Sequence, residues 1–174
     1  METKMTETEK LQRHAFELAA AFSIRLLLME ELPPEEAGAI VHPDGKRRGV
    51  VARLITDETS YVVVLHEMGH HLSPWGMLRG PLRVMPPTEA SSATDRLRWI
   101  RLMVEEEMAA WDWAKHYALY WTAAMQQVHD YAYGTYLKEE ARIADLVKLQ
   151  EPPRNWKPKP AASLDDLVRS MGRK

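Results

Sequence analysis

The sequence contains no cysteine, and this absence excludes several kinds of site. A disulfide framework, a cysteine nucleophile and every cysteine-ligated metal centre are ruled out. Any metal ion must therefore be bound by histidines and carboxylates. The lack of cysteine also fits a reducing compartment, and we expect a cytoplasmic protein.

The chain also lacks a large excess of charge and a long apolar run. It has 23 Lys and Arg against 25 Asp and Glu, a formal net charge of -2, so direct nucleic-acid binding is not expected. The first ten residues are polar, unlike a signal peptide. The most apolar window, residues 16–29, carries Glu17 and Arg25 and falls short of the ~20 residues that span a bilayer. Neither secretion nor membrane insertion is expected.

The length of 174 residues, with 45% hydrophobic and 28% charged residues, predicts one globular domain. We assign residues 1–150 to this domain. Residues 151–174 form a Pro-rich C-terminal tail that could end in one short helix. The sequence leaves the oligomeric state open.

Proline and glycine placement predicts a mainly α fold of the α+β class. No proline lies between positions 88 and 151, and Gly134 is the only glycine there, which favours one or two long helices. Ser92 or Thr94 would cap the start, and a break is expected at 131–136. The apolar spacing from Thr6 or Thr8 to Leu32 predicts an N-terminal amphipathic helix that ends before two prolines.

Two short apolar runs predict the β part of the fold. Residues 39–41 and 50–55 flank an Asp-Gly turn signal, which is typical of a β-hairpin. The run at 50–55 could serve as an edge strand that pairs with an extended substrate. Residues 73–92 hold several prolines and little periodicity, so they predict a long loop.

The segment from His66 to His70 reads H-E-M-G-H, which matches the H-E-x-x-H pattern of zinc metalloprotease helices. Residues four apart on a helix lie on one face about 6 Å apart along the axis, so two imidazoles can reach one ion. In a strand they would be roughly 13 Å apart. The preceding residues 61–64 resemble a strand, yet the metal hypothesis requires helix from Asp57 or Thr59 to Leu72. Gly69, which costs roughly 1 kcal/mol against Ala in a helix, indicates a close approach to the backbone.

A zinc ion with a bound water needs a third protein ligand, and the helix after Thr94 offers Glu105, Glu106 and Glu107. At about 100° per residue, Glu107 falls within an apolar stripe, where a carboxylate needs a cation to offset its burial. Glu106 is the alternative ligand. Glu105 lies on the charged face of this helix, a face that is typical of an exposed surface.

Together these segments resemble the gluzincin metallopeptidases, and within them the ImmA/IrrE-like group. The resemblance covers roughly residues 10–135 and rests on H-E-x-G-H followed by Glu107-Met108-Ala109-Ala110-Trp111-Asp112-Trp113-Ala114. It implies a zincin-like helical domain with a hairpin or edge strand beside the metal helix, and Zn²⁺ bound by His66, His70 and Glu107. Trp111 departs from the pattern, because the group commonly has Asn or Asp there to support a ligand histidine.

The resemblance implies a zinc-dependent peptidase that cleaves an intracellular protein or peptide substrate, such as a regulatory protein. Glu67 would be the general base, since it adjoins the ligands without being one. The candidates for the donor to the developing oxyanion are His71, His116, His129, Tyr131 and Tyr133.

Two alternative functions belong to other classes. One is a zinc-containing regulatory or binding protein of phage or mobile-element type with little peptidase activity. The other is a helical interaction module without metal. Metal content separates the second alternative from the rest.

Overall fold

The computed structural model of the chain describes residues 5–32, 38–41, 48–72, 87–88 and 91–150. Within these ranges, four helices and three strands follow one another: α1 (Glu7–Ala21), β1 (Ile24–Met29), β2 (Gly38–Val41), β3 (Arg48–Arg53), α2 (Glu58–Leu72), α3 (Ala93–Tyr117) and α4 (Ala123–Gln150). The mainly α, α+β fold class is thereby confirmed. The predicted loop at 73–92 lies largely outside the described residues, and the tail at 151–174 lies entirely outside them.

The N-terminal helix is shorter than predicted. A capping box starts α1, in which the Thr6 hydroxyl accepts from the Glu9 N–H and the Glu9 carboxylate accepts from the Thr6 N–H. The prediction of helix to Leu32 is wrong, because α1 ends at Ala21 and the chain continues as β1. Ser23, at a φ of 56°, redirects the backbone between them. The apolar spacing continues past Ala21, but pairing with β3 satisfies the backbone of this segment and overrides the local pattern.

The three strands form one sheet in the order β1-β3-β2. β2 runs antiparallel to β3, with Gly38 opposite Val51 and Val41 opposite Arg48, so the predicted hairpin pairing is confirmed. β1 runs parallel to β3 on the other side. The prediction of an edge strand at 50–55 is wrong, because β3 is the central strand and both of its sides are already paired. An extended substrate cannot add to it.

Helix α2 lies at the centre of the core. Eight of its residues are buried, namely Tyr61, Val62, Val64, Leu65, His66, Met68, Gly69 and His71. It packs against α1, β2, β3, α3 and α4. Burial on nearly every side explains why a β-branched run is helical here, since packing outweighs its weak helix propensity. The Asp57 carboxylate accepts from the Ser60 N–H at 2.8 Å, so one of the two predicted caps is found.

The long C-terminal helical segment breaks earlier than predicted. Ser92 caps α3 by accepting from the Asp95 N–H, and α3 ends at Tyr117. The expected break at 131–136 is wrong, because Gly134 lies inside α4. Contacts to α2 hold the turn at 118–122: the Leu119 N–H donates to the Tyr61 hydroxyl, and the Thr122 hydroxyl donates to Glu58.

Gly69 allows α2 and α3 to pack in direct backbone contact. A Cβ at this position would collide with the Ala110 carbonyl oxygen and would lie 2.9 Å from the carbonyl carbon and Cα of Ala110. Backbone atoms cannot move aside as a flexible side chain can. The close approach that the sequence indicated at Gly69 is therefore made by α3.

We expect Gly69→Ala to destabilise the protein by roughly 1–3 kcal/mol through this collision, against the ~1 kcal/mol gain that Ala normally brings to a helix. Gly134→Ala is the matched control, because a Cβ there has no neighbour within 4 Å, and a gain of about 0.4–1 kcal/mol is expected. Urea denaturation measures both. Equal stabilisation by the two substitutions would contradict the packing at Gly69.

A buried hydrogen-bond chain joins α1, α2 and the turn after α3. Tyr61 is fully buried. Its hydroxyl accepts from the Leu119 N–H at 3.1 Å and lies 2.7 Å from Nδ1 of His14. In a neutral ring, Nδ1 of His14 can accept the hydroxyl proton. Burial lowers the pKa of His14 below its usual 6.5, and Glu17 opposes this shift only in part.

This arrangement predicts a pH dependence of stability. As the pH falls below about 6.5, the unfolded chain binds a proton at His14 that the folded chain does not, so the free energy of unfolding decreases until the folded pKa is passed. His14→Gln removes this contribution. Denaturant titrations between pH 8 and pH 5 should give a shallower decline for the variant than for the wild type. Parallel curves would show that His14 is not held neutral.

Candidate metal centre

Two histidines of α2 and one glutamate of α3 converge at the contact between these helices. His66 Nε2 lies 3.1 Å from His70 Nε2 and 3.3 Å from Glu107 Oε2, and His70 Nε2 lies 3.4 Å from Glu107 Oε1. His66 and Glu107 are buried, with 7% and 8% of their surface exposed, and His70 is partly buried. The three residues predicted as ligands are therefore brought together, and they could hold a metal ion.

The spacing of these atoms fits a metal ion. Ligand atoms about 2.0–2.1 Å from a tetrahedral zinc are separated from one another by about 3.3 Å. The two imidazole nitrogens are 3.1 Å apart, close to that value, and each faces its own Glu107 oxygen, at 3.3 Å from His66 and 3.4 Å from His70. Two imidazole nitrogens and one carboxylate also form a set of the kind that borderline-soft divalent ions bind. Donor atoms of the three residues therefore lie close enough to share one ion.

The electrostatics keep two of the candidate ligands, His70 and Glu107, in the forms that bind metal. Burial, assisted by His66, lowers the pKa of His70 to about 4, so its ring is neutral near pH 7. Burial alone would raise the pKa of Glu107, but the hydrogen bond and charge from His66, followed by His70, bring it below its ordinary value. A neutral imidazole and an ionised carboxylate can bind a metal ion without first releasing a proton.

Glu67 lies beside the ligands without joining them. Burial raises the pKa of Glu67; His66 opposes this rise, Glu107 adds to it, and a hydrogen bond from the Ala39 backbone N–H lowers the pKa slightly. That bond also brings β2 to the border of the site. A carboxyl with a raised pKa is better matched to accept and return a proton near neutral pH than an ordinary glutamate.

The structure distinguishes the three glutamates at 105–107. Glu107 reaches both histidines, as the preferred alignment required. Glu106, the alternative ligand, lies near the far nitrogen of His70, with Oε1 3.8 Å from Nδ1. Glu105 is exposed, as expected. Glu106 therefore stands behind a ligand histidine, where a carboxylate can orient the ring and increase its basicity.

Two contacts from β3 fix the end of α2 that carries the motif. His71 Nε2 lies 2.8 Å from the Gly49 carbonyl oxygen and donates to it. The Arg48 guanidinium donates to the His71 carbonyl oxygen at 3.1 Å. Burial lowers the pKa of His71, with Arg48 acting in the same direction and the Gly49 bond opposing. His71 therefore anchors the metal helix to the sheet.

The other predicted oxyanion donors make their contacts outside the ligand cluster, although His129 meets Trp111, which stacks on His66. Tyr131 is 79% exposed and His116 is also exposed. His129 lies 2.7 Å from Asp130 and stacks on Tyr133. The role of these residues in catalysis stays a prediction without geometric support.

Sequence reasoning missed Tyr136. Its hydroxyl donates to Glu107, and burial, followed by the charges of Glu107, Glu67 and Glu106, raises its pKa. It is thus a protonated donor beside both a candidate ligand and the candidate base. Tyr136 lies seven residues after His129, so the two share a face of a continuous helix. The break that the sequence predicted at 131–136 hid this relation.

No protein-family model, curated protein or solved structure matches this chain. Among the segments that the structure describes, no helix combines the length and the apolar character needed to cross a bilayer.

Proposed function

We propose that this chain is a zinc-dependent peptidase that resembles the gluzincins, and among them the ImmA/IrrE-like group. The observation that carries the proposal is the convergence of His66, His70 and Glu107 at metal-ligand spacing with a second carboxyl group, that of Glu67, beside them. A purely structural cluster would need the three candidate ligands to pack together, but it would not need a further, partly buried carboxyl of raised pKa at the same place.

The residues divide into ligands and a base. His66, His70 and Glu107 would hold Zn²⁺, which when bound polarises a carbonyl oxygen and lowers the pKa of water at the open position. Glu67 accepts the proton of the attacking water and returns it to the leaving amine. Tyr136, whose hydroxyl donates to Glu107, would hold that ligand in place.

The border of the site suits a peptide. The Ala39 N–H of β2 points at Glu67, and β2 is an edge strand of the described sheet, paired only with β3. An edge strand offers backbone groups to an extended chain, a role that central β3 cannot fill. The substrate class proposed is therefore an extended segment of a protein.

The proposal is tested by searching for cleavage without assuming a substrate. A proteome-derived peptide library is incubated with the zinc-supplemented protein, and new N-termini are identified by mass spectrometry. Termini that appear with the wild type and are absent with Glu67→Gln are the expected result. Identical sets of termini, or none with either protein, would contradict a peptidase.

A further inference from the structure

The two candidate ligand histidines have different surroundings. His70 has Glu106 near its outer nitrogen, with 3.8 Å between Oε1 and Nδ1. His66 has no comparable group, because its buried Nδ1 has no hydrogen-bond partner among the described residues. When Nε2 binds a metal, the proton of a neutral imidazole is on Nδ1, where an acceptor usually fixes the ring. His66 is thus oriented by something other than a hydrogen bond from the described residues.

The indole of Trp111 contacts the face of His66 instead. The two ring centroids are 4.0 Å apart and the planes are inclined by only 21°, so the rings are stacked. Trp111 is 2% exposed, and its Nε1 also lacks a hydrogen-bond partner within the described ranges. The contacts of this buried indole are therefore made by ring packing and not by a hydrogen bond from its N–H.

We propose that Trp111 is a positioning residue for the metal centre that sets the orientation of His66 by stacking. An imidazole that binds a divalent cation acquires positive charge, and the face of an indole attracts such charge more strongly than that of a benzene ring. Trp111 therefore stabilises the metal-bound form of His66 as well as its orientation. This inference rests on the metal site of the proposed function.

The helical spacing supports the assignment. Trp111 lies four residues after Glu107, one turn further along α3, so one helix face presents both a candidate ligand and the support for another candidate ligand. His129 of α4 packs edge-on against Trp111, with centroids 5.3 Å apart. The position of His66 is thus linked through Trp111 to α4.

The test is a graded series at Trp111 that uses Zn²⁺ and Co²⁺ as probes. We expect Trp111→Leu to weaken Zn²⁺ affinity by about 10–100-fold, as the loss of an outer support does. Trp111→Phe should weaken Zn²⁺ affinity severalfold, because phenylalanine keeps a stacking face but attracts cations less strongly than tryptophan. Affinities are measured by competition with a chelator, below the melting temperature of each metal-free variant. The Co²⁺ absorption bands should shift in Trp111→Leu, since the ring of His66 is reoriented.

Trp113→Leu is the matched control on the same helix. Trp113 stacks on Tyr117 with centroids 4.5 Å apart and meets Phe22 edge-on, and these contacts lie outside the ligand cluster. Its loss should lower the melting temperature and leave Zn²⁺ affinity and the Co²⁺ spectrum unchanged.

The outcomes separate this inference from the proposed function. A wild type that binds no Zn²⁺ overturns both. A wild type that binds Zn²⁺, with a folded Trp111→Leu of equal affinity and unchanged Co²⁺ spectrum, overturns the role of Trp111 alone. If Trp111→Leu does not fold, Trp111→Phe decides: severalfold weaker binding supports the inference, and wild-type affinity overturns it.

Discussion

Glu67→Gln is expected to abolish hydrolysis while the protein keeps its metal and its melting temperature. The substitution preserves the size of the side chain and removes its capacity to accept a proton. Because Glu67 is not among the three residues that converge on the candidate metal position, the ligands are left in place. The rate should fall by at least the ~10²–10⁴ that a general base supplies.

Glu105→Gln is the control for this experiment, since it makes the same change of charge at an exposed position. It should match the wild type in rate, metal content and stability. A Glu67→Gln variant that cleaves at the wild-type rate would remove Glu67 from the mechanism. One that loses its metal would make Glu67 part of the metal-binding framework and favour a regulatory or binding protein.

Alanine at any of His66, His70 and Glu107 is expected to remove tight zinc binding. Each replacement leaves two donors, too few to hold the ion at the contact of α2 and α3. Zinc at 100 times its dissociation constant stabilises a folded protein by about 2.7 kcal/mol, so the wild type should melt at a higher temperature with zinc present. The three variants should show almost none of this increase.

Glu106→Ala supplies the comparison that tests the helix register. Its carboxylate lies 3.8 Å from Nδ1 of His70 and does not reach the point where the donors converge. We expect a much smaller loss of zinc affinity than for Glu107→Ala, as measured by chelator competition. Equal losses at the two glutamates, or a loss only at Glu106, would contradict the register of α3.

The candidate site followed from the sequence because helical geometry is local. Once 58–72 is helix, His66 and His70 must share a face, and the burial pattern of α3 then selects Glu107 over its two neighbours. The same reasoning predicted that another part of the protein packs closely against the backbone at Gly69. Tyr136 did not follow, since its position depends on how α4 folds back over α2 and α3.

The errors in the fold have a common cause. Residues 24–29 carry an apolar spacing that suits a helix, yet they form β1 because β3 offers a parallel partner. Similarly, the long helical segment is interrupted at 118–122, although these residues include no glycine or proline. Hydrogen bonds from Leu119 and Thr122 hold this turn against α2. In both places contacts between distant segments decide the structure, and a single sequence does not display such contacts.

The most direct test of the account is the metal content of the wild-type chain, purified without a histidine tag and without chelators. Elemental analysis should give close to one zinc per chain, and dialysis against a chelator should remove it with a fall in melting temperature. Re-addition of zinc should restore both values. Protein that carries no metal, and that neither binds added zinc nor gains stability from it, would contradict the metal centre at His66, His70 and Glu107.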